Sequence, residues 1–284
     1  MKSFYASLLL ILSLSLLIGC SKDDITSPTN SAFDKASESK GGIMYDKFWS
    51  VESDFDQANV NLAKFNASAD FFRCKQCHGW DLLGNNGAYV NRKPKTTRPN
   101  VSGLNLFQSA QTKTAQELFD AMKKTTGRRD ISYDLSTYDP STNNTIGDQM
   151  PNYSQLLTDS QIWDLVKFMK EGVLDVTQLY DATVTGTYPT GSFSISNVGK
   201  DGNATSGKTY YAAQCASCHG VDGKLIALEG MSAGTFTRKK ANEVQHKVKF
   251  GQLGSAMSGH FDITISEMKN LYKALADTTS FSDL

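Results

Sequence analysis

The residues best suited to chemistry are cysteines and histidines, and most of them fall in two short runs. These read Cys74-Lys75-Gln76-Cys77-His78 and Cys215-Ala216-Ser217-Cys218-His219. Two thiols at this spacing can reach the two vinyl groups of one porphyrin edge. The histidine that follows then sets an imidazole on the iron from one side of the ring, and C-x-x-C-H is the matching haem-attachment signature. A redox dithiol would sit near a strand-helix-strand pattern, which neither run has. The halves of a shared four-cysteine zinc site would be separated by a short loop, and these runs lie far apart. Disulfides closing loops this small would add little stability, because the gain grows with loop length. Two covalent haem c groups are therefore expected, and they would use every cysteine except Cys20.

Such groups need helices to hold them, and the sequence repeats one helical plan. In the second half, Gly207 to Gln214 reads as a helix running into Cys215, and Ala241 to Phe250 as a middle helix with Val244 and Val248 on one side. Thr264-Ile265-Ser266-Glu267 has the form of a capping box. It opens a helix with Ile265, Met268, Leu271, Tyr272 and Leu275 spaced for one face. In the first half, Gly42, Tyr45, Phe48 and Trp49 mark an opening helix, and Glu117 to Lys124 a middle one. Thr158 to Gln161 is a second capping box, leading into Ile162, Leu165, Val166 and Met169. Repetition at this scale argues for a duplicated helical unit.

With these motifs the chain resembles a di-haem cytochrome c made of two class I modules in tandem. The resemblance covers residues 41–172 and 203–277, and it implies an all-α fold with the first and last helices of each module crossing beside the haem. Residues 173–202 read as an irregular linker rich in Thr, Gly and Ser, whose Phe193-Ser194-Ile195 piece is a candidate hairpin strand, and 278–284 as a C-terminal tail. The resemblance also implies sixth ligands to the iron. Met150, in Gln149-Met150-Pro151, stands where the family carries its Met-Pro ligand loop, whereas Met122 and Met169 fall in helical apolar patterns. In the second module Met257 is the candidate, among Gly251, Gly254 and Gly259, which allow close approach of the backbone. His260 is its rival and His246 a weaker one. By the same resemblance the Pro99 carbonyl orients His78, and Arg98, with Arg92 and Lys93, pairs with haem propionates.

The N-terminus carries an address. Lys2 precedes an apolar run from Ala6 to Ile18, too short to span a bilayer and suited to a secretory signal. Leu17-Ile18-Gly19-Cys20 resembles the bacterial lipoprotein box, so residues 1–19 are expected to be removed and Cys20 lipidated. An ordinary signal peptide is the alternative. Residues 20–40 read as a flexible tether. An exported, lipid-anchored protein facing the periplasm or the cell surface follows. With 29 basic and 29 acidic residues the chain lacks the cationic surplus of a nucleic-acid binder. The expected role is electron transfer between redox protein partners through two His/Met-ligated haems, without enzymatic turnover. A di-haem peroxidase, or an electron-entry subunit of a larger membrane redox complex, is the alternative. Arg238, Lys239, Lys240, Lys247 and Lys249 are candidates for a partner-docking face, or simply an exposed helix face.

Overall fold

A computed structural model of the chain describes residues 28–50, 54–142 and 145–284. The expected signal peptide, Cys20 and the first part of the tether lie outside the described residues. The fold is mostly helical. Its main elements are α1 (Pro28–Lys35), α2 (Glu38–Lys47), α3 (Ala115–Lys123), α4 (Asp159–Lys167), a hairpin of β1 (Asp181–Thr185) and β2 (Ser192–Ser196), then α5 (Ala204–Gln214), α6 (Ala233–Phe250) and α7 (Ile265–Ala276). Short helical turns carry both cysteine motifs, at Cys74–His78 and Ala216–His219. Among the described residues no helix is long and apolar enough to cross a membrane.

The capping boxes anticipated at Thr158 and Thr264 form, each hydroxyl accepting from the N3 amide while the N3 side chain accepts from the cap amide. A third, Thr114 with Glu117, starts α3. The apolar faces behind these caps bury Ile162, Leu165 and Val166 in the first half, and Met268, Leu271, Tyr272 and Leu275 in the second.

In each half the first and last helices cross at a glycine. A Cβ on Gly41 of α2 would lie 2.0 Å from the Asp164 carbonyl oxygen of α4, and one on Gly207 of α5 1.9 Å from that of Asn270 in α7. Only a glycine lets the two backbones touch there. The adjacent Gly42 makes room for a side chain instead, since its Cβ would fall 2.2 Å from the ring of Phe250, which arrives from α6. Phe250 packs in the aromatic core of the first half, with Tyr45, Phe48, Phe65, Phe72 and Phe168. The halves are thus joined by interlocked side chains.

Several expectations need correction at their edges. Part of the stretch read as a tether is helical, and Ala32, Phe33 and Ala36 pack on the first core, with Phe33 edge-on to Trp163 at 6.4 Å. The linker is not loose at its start: Val176, Leu179 and Tyr180 are buried in the second core. Its middle forms the antiparallel hairpin, pairing Ala182 with Ile195 and Val184 with Phe193, a small sheet in an otherwise helical chain. The tail docks as well, since Phe281 is buried edge-on against Tyr211 at 4.7 Å. The expected middle helix at Ala241 extends back to Ala233 through a break at Lys240.

Helix α6 also carries His246, only 2 % exposed, into the seam between the halves. Its ring packs 4.8 Å from Trp80, 4.9 Å from Phe250 and 5.9 Å from Tyr45. Burial pushes its pKa down to about 3, helped by the cations Lys247, Lys75 and Arg73 and opposed by Asp46.

Two outcomes follow. Gly41→Ala and Gly207→Ala should each lower unfolding free energy by at least about 1–3 kcal/mol by overpacking. Gly103→Ala, with no neighbour nearer than 3.7 Å, should stay within about 0.5 kcal/mol in the same urea titration. For His246 the unfolded ring takes up a proton near pH 6.5 and the folded one only near 3. Between those values the unfolded state binds more protons, so stability drops as pH falls through that window. His246→Phe should flatten that part of the thermal midpoint's pH dependence relative to wild type.

Candidate functional site

Each cysteine motif is presented by the same local device. The turn of Cys74–His78 ends at Gly79 and that of Ala216–His219 at Gly220, with φ of 77° and 79°. This left-handed conformation suits a residue without a Cβ. It exposes a carbonyl that a tyrosine of the opening helix caps: Tyr45 Oη donates to the Gly79 oxygen at 2.6 Å, and Tyr211 Oη to the Gly220 oxygen at 2.8 Å. Each tyrosine lies four residues after the glycine at which its helix crosses the last one. This Gly-x-x-x-Tyr repeat is the sequence signal that could have located both supports.

A cavity of about 540 Å³ opens beside the first motif, lined by Cys74, Cys77 and His78 together with Met150, Asn100, Arg128 and Asp148. The loop that brings Met150 there is clamped. The Arg129 amide donates to the Met150 carbonyl at 3.0 Å and the Asn152 amide to the Arg129 carbonyl at 2.8 Å. Arg129 is itself held by its guanidinium on the Phe71 carbonyl at 2.7 Å. Asp148 ties the loop to the opposite wall, accepting from the Asn100 amide at 2.8 Å, its Nδ2 at 2.7 Å and the Tyr138 hydroxyl at 2.7 Å.

A second cavity of about 480 Å³ is lined by Cys215, His219 and Met257. Gly251, at φ 82°, begins the Met257 loop, and the Gln252 amide donates to the Met257 carbonyl at 3.0 Å. Neither His246 nor His260 lines this cavity. His260 lies half-buried with its ring 6.0 Å from Tyr210.

The chemistry of these groups suits a ligand that takes neutral thiols and a neutral imidazole. Burial pushes the thiols of Cys74 and Cys215 up to about 11 and that of Cys77 to about 12. They are protonated at neutral pH, unlike the low-pKa thiolate of a redox pair. Burial also lowers His78 to about 4 and shifts His219 in the same direction, so each imidazole keeps a lone pair for a metal. In both histidines Nδ1 is buried without a hydrogen-bond partner. Together with a cofactor-sized cavity, this donor set fits covalently held haem.

Two sequence expectations are not met. The Pro99 carbonyl does not hold His78, because the Pro99-Asn100 loop is drawn to Asp148 and to Tyr188, whose hydroxyl donates to Asn100 Oδ1 at 2.8 Å. Arg98 lines neither cavity; its guanidinium caps the Lys93 carbonyl at 2.8 and 3.0 Å. Arg92 lies over the Tyr89 ring instead. Cations that do line the first cavity are Arg73, Lys113 and Arg128, and the Nε of Arg128 is buried and unpartnered; no spacing rule marks it. The basic residues of α6 are disposed unevenly, with Lys239 exposed and most of the others paired. Arg238 binds Asp283 and the Phe281 carbonyl, Lys240 pairs with Glu229, and Lys249 is buried 3.6 Å from Glu38.

Residues 66–172 match the family model described as cytochrome c. Residues 202–273 match that of cytochrome c oxidase, cbb3-type, subunit III. No curated protein and no solved structure matches the chain. One match surrounds each C-x-x-C-H run, and the two together support a c-type cytochrome, which holds haem covalently and uses it for electron transfer.

Proposed function

We propose that the chain is a di-haem cytochrome c, anchored to a bacterial membrane through lipidated Cys20, that relays electrons between redox protein partners outside the cytoplasm. The observation that carries this reading is the twofold recurrence of one arrangement. Each half has a cavity lined by the leading cysteine and the histidine of a C-x-x-C-H run and by a methionine, with a glycine crossing and a tyrosine-capped turn behind it. Haem supplies the one-electron chemistry when bound. His78 and His219 are the proximal ligands, Met150 and Met257 the distal ones, and Cys74, Cys77, Cys215 and Cys218 the attachment points.

A methionine in the sixth position closes the iron to exogenous ligands and raises its potential relative to histidine. That separates a carrier from a peroxidase, which would need an open or bis-histidine haem. The absence of His246 and His260 from the second cavity's lining, where Met257 stands, favours the carrier. A second reading, an electron-entry subunit of a larger complex, draws on the likeness of residues 202–273 to a subunit of a cbb3-type oxidase.

The test is haem stoichiometry and an optical redox titration of the chain matured with haem. Two haems per chain, both titrating at the high potentials of His/Met ligation and with ferrous spectra indifferent to carbon monoxide, are expected. Met150→Ala and Met257→Ala should each open one haem to carbon monoxide and leave the other closed. One haem per chain, or native haem that binds carbon monoxide, would overturn the reading.

A further inference from the structure

The second cavity is not built by the second half alone. Arg73, Lys75 and Trp80, which belong to the segment around the first motif, line it beside Cys215, His219 and Met257. Trp80 is fixed there by Gln245 of α6, whose Nε2 donates to the Trp80 carbonyl at 2.7 Å, and by the ring of His246. The ammonium groups of Lys75 and Lys247 stand 4.5 and 4.6 Å from the centroid of its indole.

The cations facing this cavity differ in how they are satisfied. Arg73 is bound to the carboxylate and carbonyl of Asp46 and lies 3.6 Å from Asp70. Lys247 is 3.6 Å from Glu243 and hydrogen-bonded to Gln252. Lys75 is 8 % exposed, and among the described residues no carboxylate lies within ion-pair distance of it. Lysine is almost never so buried without a partner, and the indole face compensates only part of the desolvation. The first cavity shows a parallel, with Arg128 Nε unpartnered at its wall. A haem brings two carboxylates, the anions that such orphan cations lack.

We propose that Lys75, one residue beyond the first motif's leading cysteine, is the cation that receives a propionate of the haem attached at Cys215 and Cys218. The second haem is then held by both halves, and its potential is set in part by the first. This inference rests on the di-haem reading. Removing the cation leaves more negative charge at that haem and favours its ferric state, so its midpoint falls.

The experiment uses the full-length, haem-loaded chain. Haem per chain is measured first: one haem overturns the di-haem reading and this inference with it. With two haems present, Lys75→Met should raise the ferric-to-ferrous ratio of the second haem by about tenfold at fixed ambient potential, equivalent to about 59 mV for one electron. Lys75→Arg should restore most of it. In a Cys215→Ala/Cys218→Ala background, which carries the first haem alone, Lys75→Met should leave the remaining midpoint in place. The inference fails, with the di-haem reading intact, if Lys75→Met moves neither midpoint, if Lys75→Arg shifts as far as Lys75→Met, or if the shift persists without the second haem.

Discussion

The close contact of two helix backbones at Gly41 and Gly207 is the constraint on which the rest of the structure depends. Each glycine lets its helix settle onto a carbonyl of the last helix at a separation no side chain would allow. That depth of approach carries Tyr45 and Tyr211, one turn further on, to the carbonyls of Gly79 and Gly220. The capped carbonyl fixes the turn behind each histidine, and the turn brings Cys74, Cys77 and His78 to the first cavity and Cys215 and His219 to the second. Helix crossing, tyrosine, glycine turn and cysteine motif thus form one mechanical chain, with the covalent haem signature at its end.

The seam between the halves is built with the same economy. Phe250 takes the space beside Gly42, Gln245 reaches the Trp80 carbonyl, and His246 sits neutral among aromatic rings. Helix α6 therefore serves two cores, and most of its basic residues are drawn to carboxylates or to an indole. In the run that offers a docking face or an exposed one, Arg238, Lys240 and Lys249 pair with Asp283, Glu229 and Glu38, Lys247 lies by the Trp80 indole, and Lys239 stays exposed. Linear spacing cannot show this, because the carboxylates concerned arrive from distant segments.

What the sequence disclosed well was chemistry fixed by adjacency. The C-x-x-C-H runs, the capping boxes and the apolar faces of α4 and α7 are each specified within a few residues, and the structure forms them. Met150 and Met257 were singled out from their loops, and each is among the residues lining the cavity beside its motif. What escaped depends on tertiary partners. Residues 28–40 are polar overall, and what holds them is tertiary: Phe33 on Trp163, Ala32 and Ala36 on the same core, and the Ser37 amide donating to Asp164. Val176, Leu179, Tyr180 and Phe281 lie in short apolar pieces with no helical period, and burial reveals their use. Arg98 and Pro99 were assigned by position in a family pattern, but the Lys93 carbonyl and Asp148 claim their loop instead.

The tyrosine caps, alike in geometry, differ in how far apart in the chain their partners lie. Tyr211 and Gly220 are 9 positions apart, whereas Tyr45 and Gly79 are 34 apart, with the helix Leu62–Ala67 and its aromatic neighbours between them. Closing the longer loop carries an added entropic cost of about 1 kcal/mol, two doublings of loop length. Contacts between distant residues also slow folding. The half that leaves the ribosome first thus has the longer loop to close around its motif. The later half closes locally, and Gln245, His246 and Phe250 of its helix α6 lie against the half whose loop is the longer one.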